Sequence, residues 1–301
     1  MLAQQKANDD ALRLAHAARA AAEKANRLDP DDLEVAWIRV AIEATTSRIA
    51  TNFENFEELV RAVSNIGEFA QSDVRRFRSK EPDHLLERLI AEAVNVRSTF
   101  WSKVDSELRT AANKATVKSG TEEVQRWRHL WSKGIRSPEV RRGLIAALLL
   151  KAGLETGNGS RVRDASLERA LEDLAQAELI MASLRHRDEY LLAGSALDFG
   201  IAASFVGLYL RVGEPAKAVA RLKEFLSRTK GSGASFVIQR AAALGLLQDI
   251  QHDTVPEETI ALCVLRFRHS SNTLLAEDFF PRRPSMHLTP TDPMPFWMTL
   301  N

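Results

Sequence analysis

Apolar residues recur along this chain at three- and four-residue steps in nearly every segment before Ile250. That spacing is the helical period, so the pattern predicts a succession of amphipathic α-helices and no central sheet. Residues 11–28 form the first, with Ala18, Ala22 and Ala25 as a seam of small side chains. The acidic turn Asp29-Pro30-Asp31-Asp32 follows. Asp29 reads as the cap of the next helix, Pro30 as its first residue, and Asp31 and Asp32 as carboxylates at its positive end. That helix carries Ala36, Trp37, Val40, Ala41 and Ala44. Residues 52–77 place Phe56, Leu59, Val63, Ile66 and Ala70 on one face. Pro82 opens a helix through Leu85, Leu89, Ala93 and Val96, whose pattern weakens toward Leu108 and Ala112. A break is expected at Lys118-Ser119-Gly120-Thr121, where Ser119 and Glu122 have capping-box spacing. Residues 122–133 then align Val124, Trp127, Leu130 and Trp131, and Ser137-Pro138-Glu139 starts a helix with Leu144, Ala147, Leu148 and Ala152.

The clearest pattern lies later, where two helices over 190–211 and 216–228 meet at Gly213-Glu214-Pro215. Ala202, Phe205 and Tyr209 line one side of the first, and Ala218, Leu222 and Phe225 recur on the second. Residues 191–210 hold one formal charge, Asp198, and are long enough to cross a bilayer. The carboxylate near the middle, the many small residues and the amphipathic helix that follows favour instead a helix buried inside a helical stack. Gly157-Asn158-Gly159-Ser160 reads as a linker, followed by a helix over 165–184. Gly231-Ser232-Gly233 is a turn before a helix over 234–250, and 260–267 fits either a helix or a strand. Beyond Phe280 five prolines preclude a regular helix, so 281–301 reads as an extended tail. The expected organisation is an N-terminal helical domain over 1–156, a second over 161–280, and that tail.

Tyr209, Gly213, Ala218 and Leu222 stand in the relations of a tetratricopeptide-repeat packing signature, which this hairpin resembles; Val206 occupies the place where the family prefers glycine. Ala18, Ala22, Ala25 and Leu28-Asp29-Pro30 resemble the close of such a repeat, although no steady 34-residue period links the two. The resemblance implies stacked antiparallel helical hairpins, as a solenoid or an irregular array. It also implies peptide or protein binding on a helical groove, without catalysis.

Composition changes this picture little. The 301 residues are 27% charged and 45% hydrophobic with a formal charge of +1, ordinary globular values with no global field toward nucleic acid. The single cysteine, Cys263, excludes an intramolecular disulfide, fits a reducing compartment and reads as a buried, inert thiol. The first ten residues are polar and lack the apolar core of a secretory signal, so a cytoplasmic location is the default. His84 with Glu87, and His186 with Glu189, sit one turn apart, yet neither pair supplies the ligands of a catalytic zinc site. Gly157–Ser160 lacks the lysine-hydroxyl pair of a nucleotide loop, and Gly231–Ser235 lacks the glycine spacing of a serine-nucleophile turn. No metal or cofactor is implied.

Charge is nevertheless uneven. Residues 61–142 hold 17 Lys/Arg against 11 Asp/Glu. Arg75, Arg76, Arg78 and Lys80 surround Phe77, and Arg126 and Arg128 flank Trp127. Such interleaving suits phosphate gripping and base stacking, but a solvated helix surface explains it more simply, and Trp127 falls on the apolar face. In the tail, Phe296 and Trp297 are the aromatic residues expected to anchor a partner. The reading is an all-α interaction scaffold for a protein or peptide, with nucleic-acid binding through 75–80 and 126–142 as the alternative. Oligomeric state is not legible at this level.

Overall fold

The computed structural model of the chain describes residues 2–77, 84–114, 116–156, 164–185, 190–230 and 236–252. They form ten α-helices and no strand: α1 Leu2–Leu28, α2 Leu33–Asn52, α3 Phe56–Phe77, α4 His84–Asn113, α5 Val117–Ser132, α6 Pro138–Thr156, α7 Asp164–Arg185, α8 Tyr190–Arg211, α9 Pro215–Arg228 and α10 Val237–Gln251. The all-α class expected from the apolar period is what the chain adopts. Contacts divide it into two compact units, residues 1–103 and 104–301, with α4 contributing to both.

In the first unit α2 packs on α1 and on α3. Its core includes Ala36, Val40, Phe77, Leu86 and Leu89, with Trp37 and Phe69 against it. The acidic turn caps the helix three residues later than its sequence suggests. Asp32, not Asp29, caps α2, its side chain accepting from the backbone N–H of Glu34 at 2.8 Å and of Val35 at 3.3 Å. Asp29 instead accepts from the Asp31 N–H, closing the turn that delivers Asp32 to the cap. At the other end of α2, Glu54 takes a left-handed φ of 54° so that the Asn55 N–H reaches the Ala50 carbonyl at 2.9 Å. Asn55 then caps α3 by accepting from the Glu58 N–H.

The second unit is built around α6, which is buried along nearly its whole length. A helix apolar on every face has to be enclosed by its neighbours. The neighbours are α5, α7 and α8, and α8 in turn packs on α7, α9 and α10. The break expected at 118–121 is absent: Thr116 caps α5 by accepting from the Ser119 N–H, and Ser119 and Gly120 lie buried in the first turns. Ser119 hydroxyl donates to the Ala111 carbonyl on α4 at 2.8 Å, so this serine joins two helices instead of ending one. Tertiary contact overrides the local turn signal here. Gly120 permits the close approach of α5 to α6, because a Cβ there would lie 3.0 Å from the Lys151 Cα.

The helices α8 and α9 form the hairpin read from the sequence, with α9 beginning at Pro215. Gly213 has φ +74°, and the following N–H, of Glu214, returns to the Tyr209 carbonyl at 2.8 Å. The α8–α9–α10 core contains Phe199, Val206, Ala218, Leu222, Phe225, Phe236 and Leu246, with Tyr209 packed against it. Burying a side chain the size of Leu222 contributes about 1.5–3 kcal/mol. Asp198, the charge that argued against a membrane span, is fully buried and accepts from Arg228 Nη2 at 2.8 Å. Among the described residues no helix is long and apolar enough to cross a membrane. The linker expected at Gly157–Ser160 lies outside the described residues, and α6 and α7 on either side of it pack together. Residues 260–267 and the tail over 281–301 also lie outside them.

Candidate functional site

The residues singled out by the sequence fall into three groups. Arg78, Lys80, Phe296 and Trp297 lie outside the described residues, and Arg75 belongs to the last turns of α3. Arg76 is engaged within the chain: its guanidinium donates to the Pro30 carbonyl and lies 3.9 Å from Asp31, fastening the end of α3 to the α1–α2 turn. Arg126 is engaged as well, donating to Glu107 and standing 3.8 Å from Glu123.

Arg128 is exposed, and its Nη2 donates to the Gln176 Oε1 on α7 at 2.6 Å. It stands near the end of α5, where further basic residues gather. His129, Lys133 and Arg136 are exposed, and Trp131 is half-buried with the guanidinium of Arg136 5.4 Å and that of Arg141 5.8 Å from its ring. Such stacks are worth about 0.5–1 kcal/mol at exposed sites and restrict the arginine side chains. Between residues 124 and 150 Glu139 is the only carboxylate, and it is buried. The geometry separates the two tryptophans that the helical period placed together. Trp127 is core, pressed so closely on α6 that a Cβ on Gly143 would come within 2.3 Å of its ring. Trp131, a turn later, reaches the surface among arginines.

Three polar clusters, two of them buried and one half-buried, were not foreseen. In the first unit Arg19 on α1 donates Nε and Nη2 to Glu43 on α2, at 2.6 and 2.7 Å, and Nη2 to Glu58 on α3 at 2.9 Å. Asn65 Nδ2 donates to Glu43 at 2.9 Å, and His16 Nε2 stands 3.6 Å from Glu58. Burial opposes the Arg19 charge, but the hydrogen bonds and charges of Glu43 and Glu58 outweigh it and hold the guanidinium more firmly protonated than usual. A small hollow bordered by Arg19, Arg39, Glu43 and Phe69 adjoins the cluster.

In the second unit Lys151 on α6 lies between Asp173 on α7, at 2.5 Å, and Glu155, at 3.1 Å. Arg169 donates to the other oxygen of Glu155 at 2.8 Å. Burial pushes the Asp173 carboxyl up, with Lys151 opposing it. The third cluster joins α7, α8 and α9: Arg221 donates twice to Glu178, at 2.6 and 3.1 Å, and lies over the Phe205 ring at 4.0 Å. Each cluster joins separate helices that follow one another in the chain, so these carboxylates act as staples. A charge inside an apolar helical stripe, as at Asp198, was the one signal for them in the sequence.

His84 and Glu87 face each other at 3.6 Å on an exposed first turn, and among the described residues no three His, Cys, Asp or Glu side chains are grouped to hold a metal ion. Comparison of the chain with protein-family models, curated proteins and solved structures finds no match in any of the three.

Proposed function

We propose that the protein is an interaction scaffold that binds a protein or peptide partner on its helices, without catalysing a reaction. One observation carries the reading. From α5 to α10 each helix packs on its successor, while α6 packs on α8 and α8 on α10. That order supports a two-layered helical repeat, with α6, α8 and α10 in one layer and α5, α7 and α9 in the other. The α8–α9 hairpin adds support from the tetratricopeptide resemblance. Ala218 and Leu222 are fully buried, Gly213 supplies the left-handed cap, and Val206, in the position that prefers glycine, is accommodated in the core. With α6 and much of α8 enclosed, the surfaces such a scaffold offers are the outer faces of α5, α7 and α9 and the free side of α10. Val237 and Leu244 are exposed on that side.

The nucleic-acid alternative draws less support, because Arg76 and Arg126 are both held by groups of the chain itself. The test is an affinity pull-down from the native organism with the full chain, repeated with residues after Phe280 removed. The expected result is a discrete protein that rebinds the purified chain at a fixed stoichiometry. Recovery of nucleic acid alone, abolished by nuclease, overturns the reading.

A further inference from the structure

We infer that the corner where α5 ends and α6 begins is the docking site for an acidic, Asp/Glu-rich segment of a protein partner. The inference rests on the scaffold reading and adds the place and the chemistry of the contact. Three observations converge there. The first is charge: Arg128, Lys133 and Arg136 are exposed around the α5 terminus. Glu139, the only carboxylate nearby in sequence, is buried, and Asp173 on α7, which interacts with the Arg128 charge, is buried and paired with Lys151, so neither puts an acidic group on the surface. A chain whose formal charge is only +1 therefore carries a local positive patch of short extent.

The second is order. Gly134, with φ +82°, lets the Ile135 N–H return to the Leu130 carbonyl, and Ile135 is buried, so the connection bearing Lys133 and Arg136 is anchored on both sides. Trp131 holds Arg136 and Arg141 against its ring. For Arg136 the contact with the ring uses none of the guanidinium N–H donors, so the side chain is restricted in advance while its hydrogen-bonding capacity is kept. Among the described residues no carboxylate pairs with Arg136. Binding a carboxylate there costs less side-chain entropy than ordering a free surface arginine.

The third observation decides between polyanions. Base recognition in single strands uses open aromatic faces, and here arginines lie over Trp131 while Trp127 is fully enclosed. A duplex needs basic contacts spread along its backbone, but Arg126, the next cation along α5, is taken by Glu107 and Glu123. A short run of carboxylates fits a short patch.

The test is a polarisation titration of the full-length protein at physiological ionic strength, using a fluorescein-labelled oligoglutamate peptide and a labelled random single-stranded DNA of equal formal charge. The peptide is expected to bind more tightly than the DNA. The triple variant Arg128→Glu/Lys133→Glu/Arg136→Glu should weaken the peptide by more than about tenfold, and Lys223→Glu on exposed α9 by less than about twofold. Replacing the same three residues by Ala, with circular dichroism to verify folding, should give the same order of effects. Tighter binding of the DNA, no measurable binding of the peptide, or equal losses in the triple and Lys223 variants overturns the proposal. If the pull-down partner is retained by the triple variant, the scaffold reading stands and this corner is not its site.

Discussion

Gly143 carries no side chain because the Trp127 ring lies where one would be. Gly143→Ala should therefore displace a fully buried indole and lower stability by about 1–3 kcal/mol in a denaturant titration. Gly245 on α10 is the natural control, since a Cβ there meets nothing within 4 Å. In that place Gly→Ala removes only the entropy disadvantage of glycine in a helix and should raise stability by about 0.5–1 kcal/mol. Losses of equal size at both positions would refute the proposed packing of α5 on α6. Arg19 is the other residue with a disproportionate role. Glu43 is 1% exposed and Glu58 7%, so Arg19→Met strands two carboxylates away from water. The expected cost is about 3–5 kcal/mol, the range for breaking a buried ion pair from one side. Substituting Met for Arg19 together with Gln for Glu43 and Glu58 should recover much of it, because the loss comes from uncompensated charge more than from the missing ion pair itself.

Among elements, the α8–α9 hairpin gives the sharpest test. Ala218 is fully buried among Phe199, Ala203, Val206 and Leu222, whereas the Lys217 side chain is mostly exposed and pairs with Glu214 at 2.7 Å. Ala218→Leu should overpack this seam by about 1–3 kcal/mol and visibly lower the melting midpoint, while Lys217→Ala leaves the midpoint unchanged. Similar midpoints for both variants would contradict the burial of Ala218. The same comparison explains why the hairpin was legible. Its small residues, its glycine and its proline are local signals that agree with one another and with the packing they serve.

For the whole molecule, stability should depend on pH through buried carboxyl groups. Burial pushes the Glu123 carboxyl above its ordinary 4.5, and Glu107 and Glu122 add to the rise while Arg126 opposes it. A raised folded-state value means that the folded chain binds more protons than the unfolded one just above pH 4.5. Stability therefore falls as pH rises through that window, and the penalty is complete above the raised value. Glu123→Gln should be more stable than the wild type near neutral pH, with the difference closing as the pH falls below 4.5. Thermal melts across this range read the effect directly, and a gap that widens on acidification would show the sign to be wrong.

Periodicity and the turn signals between segments determined that the chain is helical and located each of the ten described helices, with at least one end placed to within a few residues, because a helix buries one side of a 3.6-residue repeat. It also determined that Trp127 is core, since it shares a face with Val124 and Leu130. The cap of α2 and the fate of Ser119 were decided elsewhere: Asp29 and Asp32 are equal candidates by composition, and only the path of the turn delivers one of them to the free N–H groups. The staples Arg19–Glu43–Glu58 and Lys151–Glu155–Asp173 join residues from separate helices, and no local pattern encodes which charges will meet. The surface corner at Trp131 is of the same kind. Sequence placed that ring on the apolar stripe, and at the end of α5, beside the first turn of α6, it lies half-buried among arginines. Helix identity follows from residues near one another along the chain; burial and pairing follow from which helices the tertiary fold brings together.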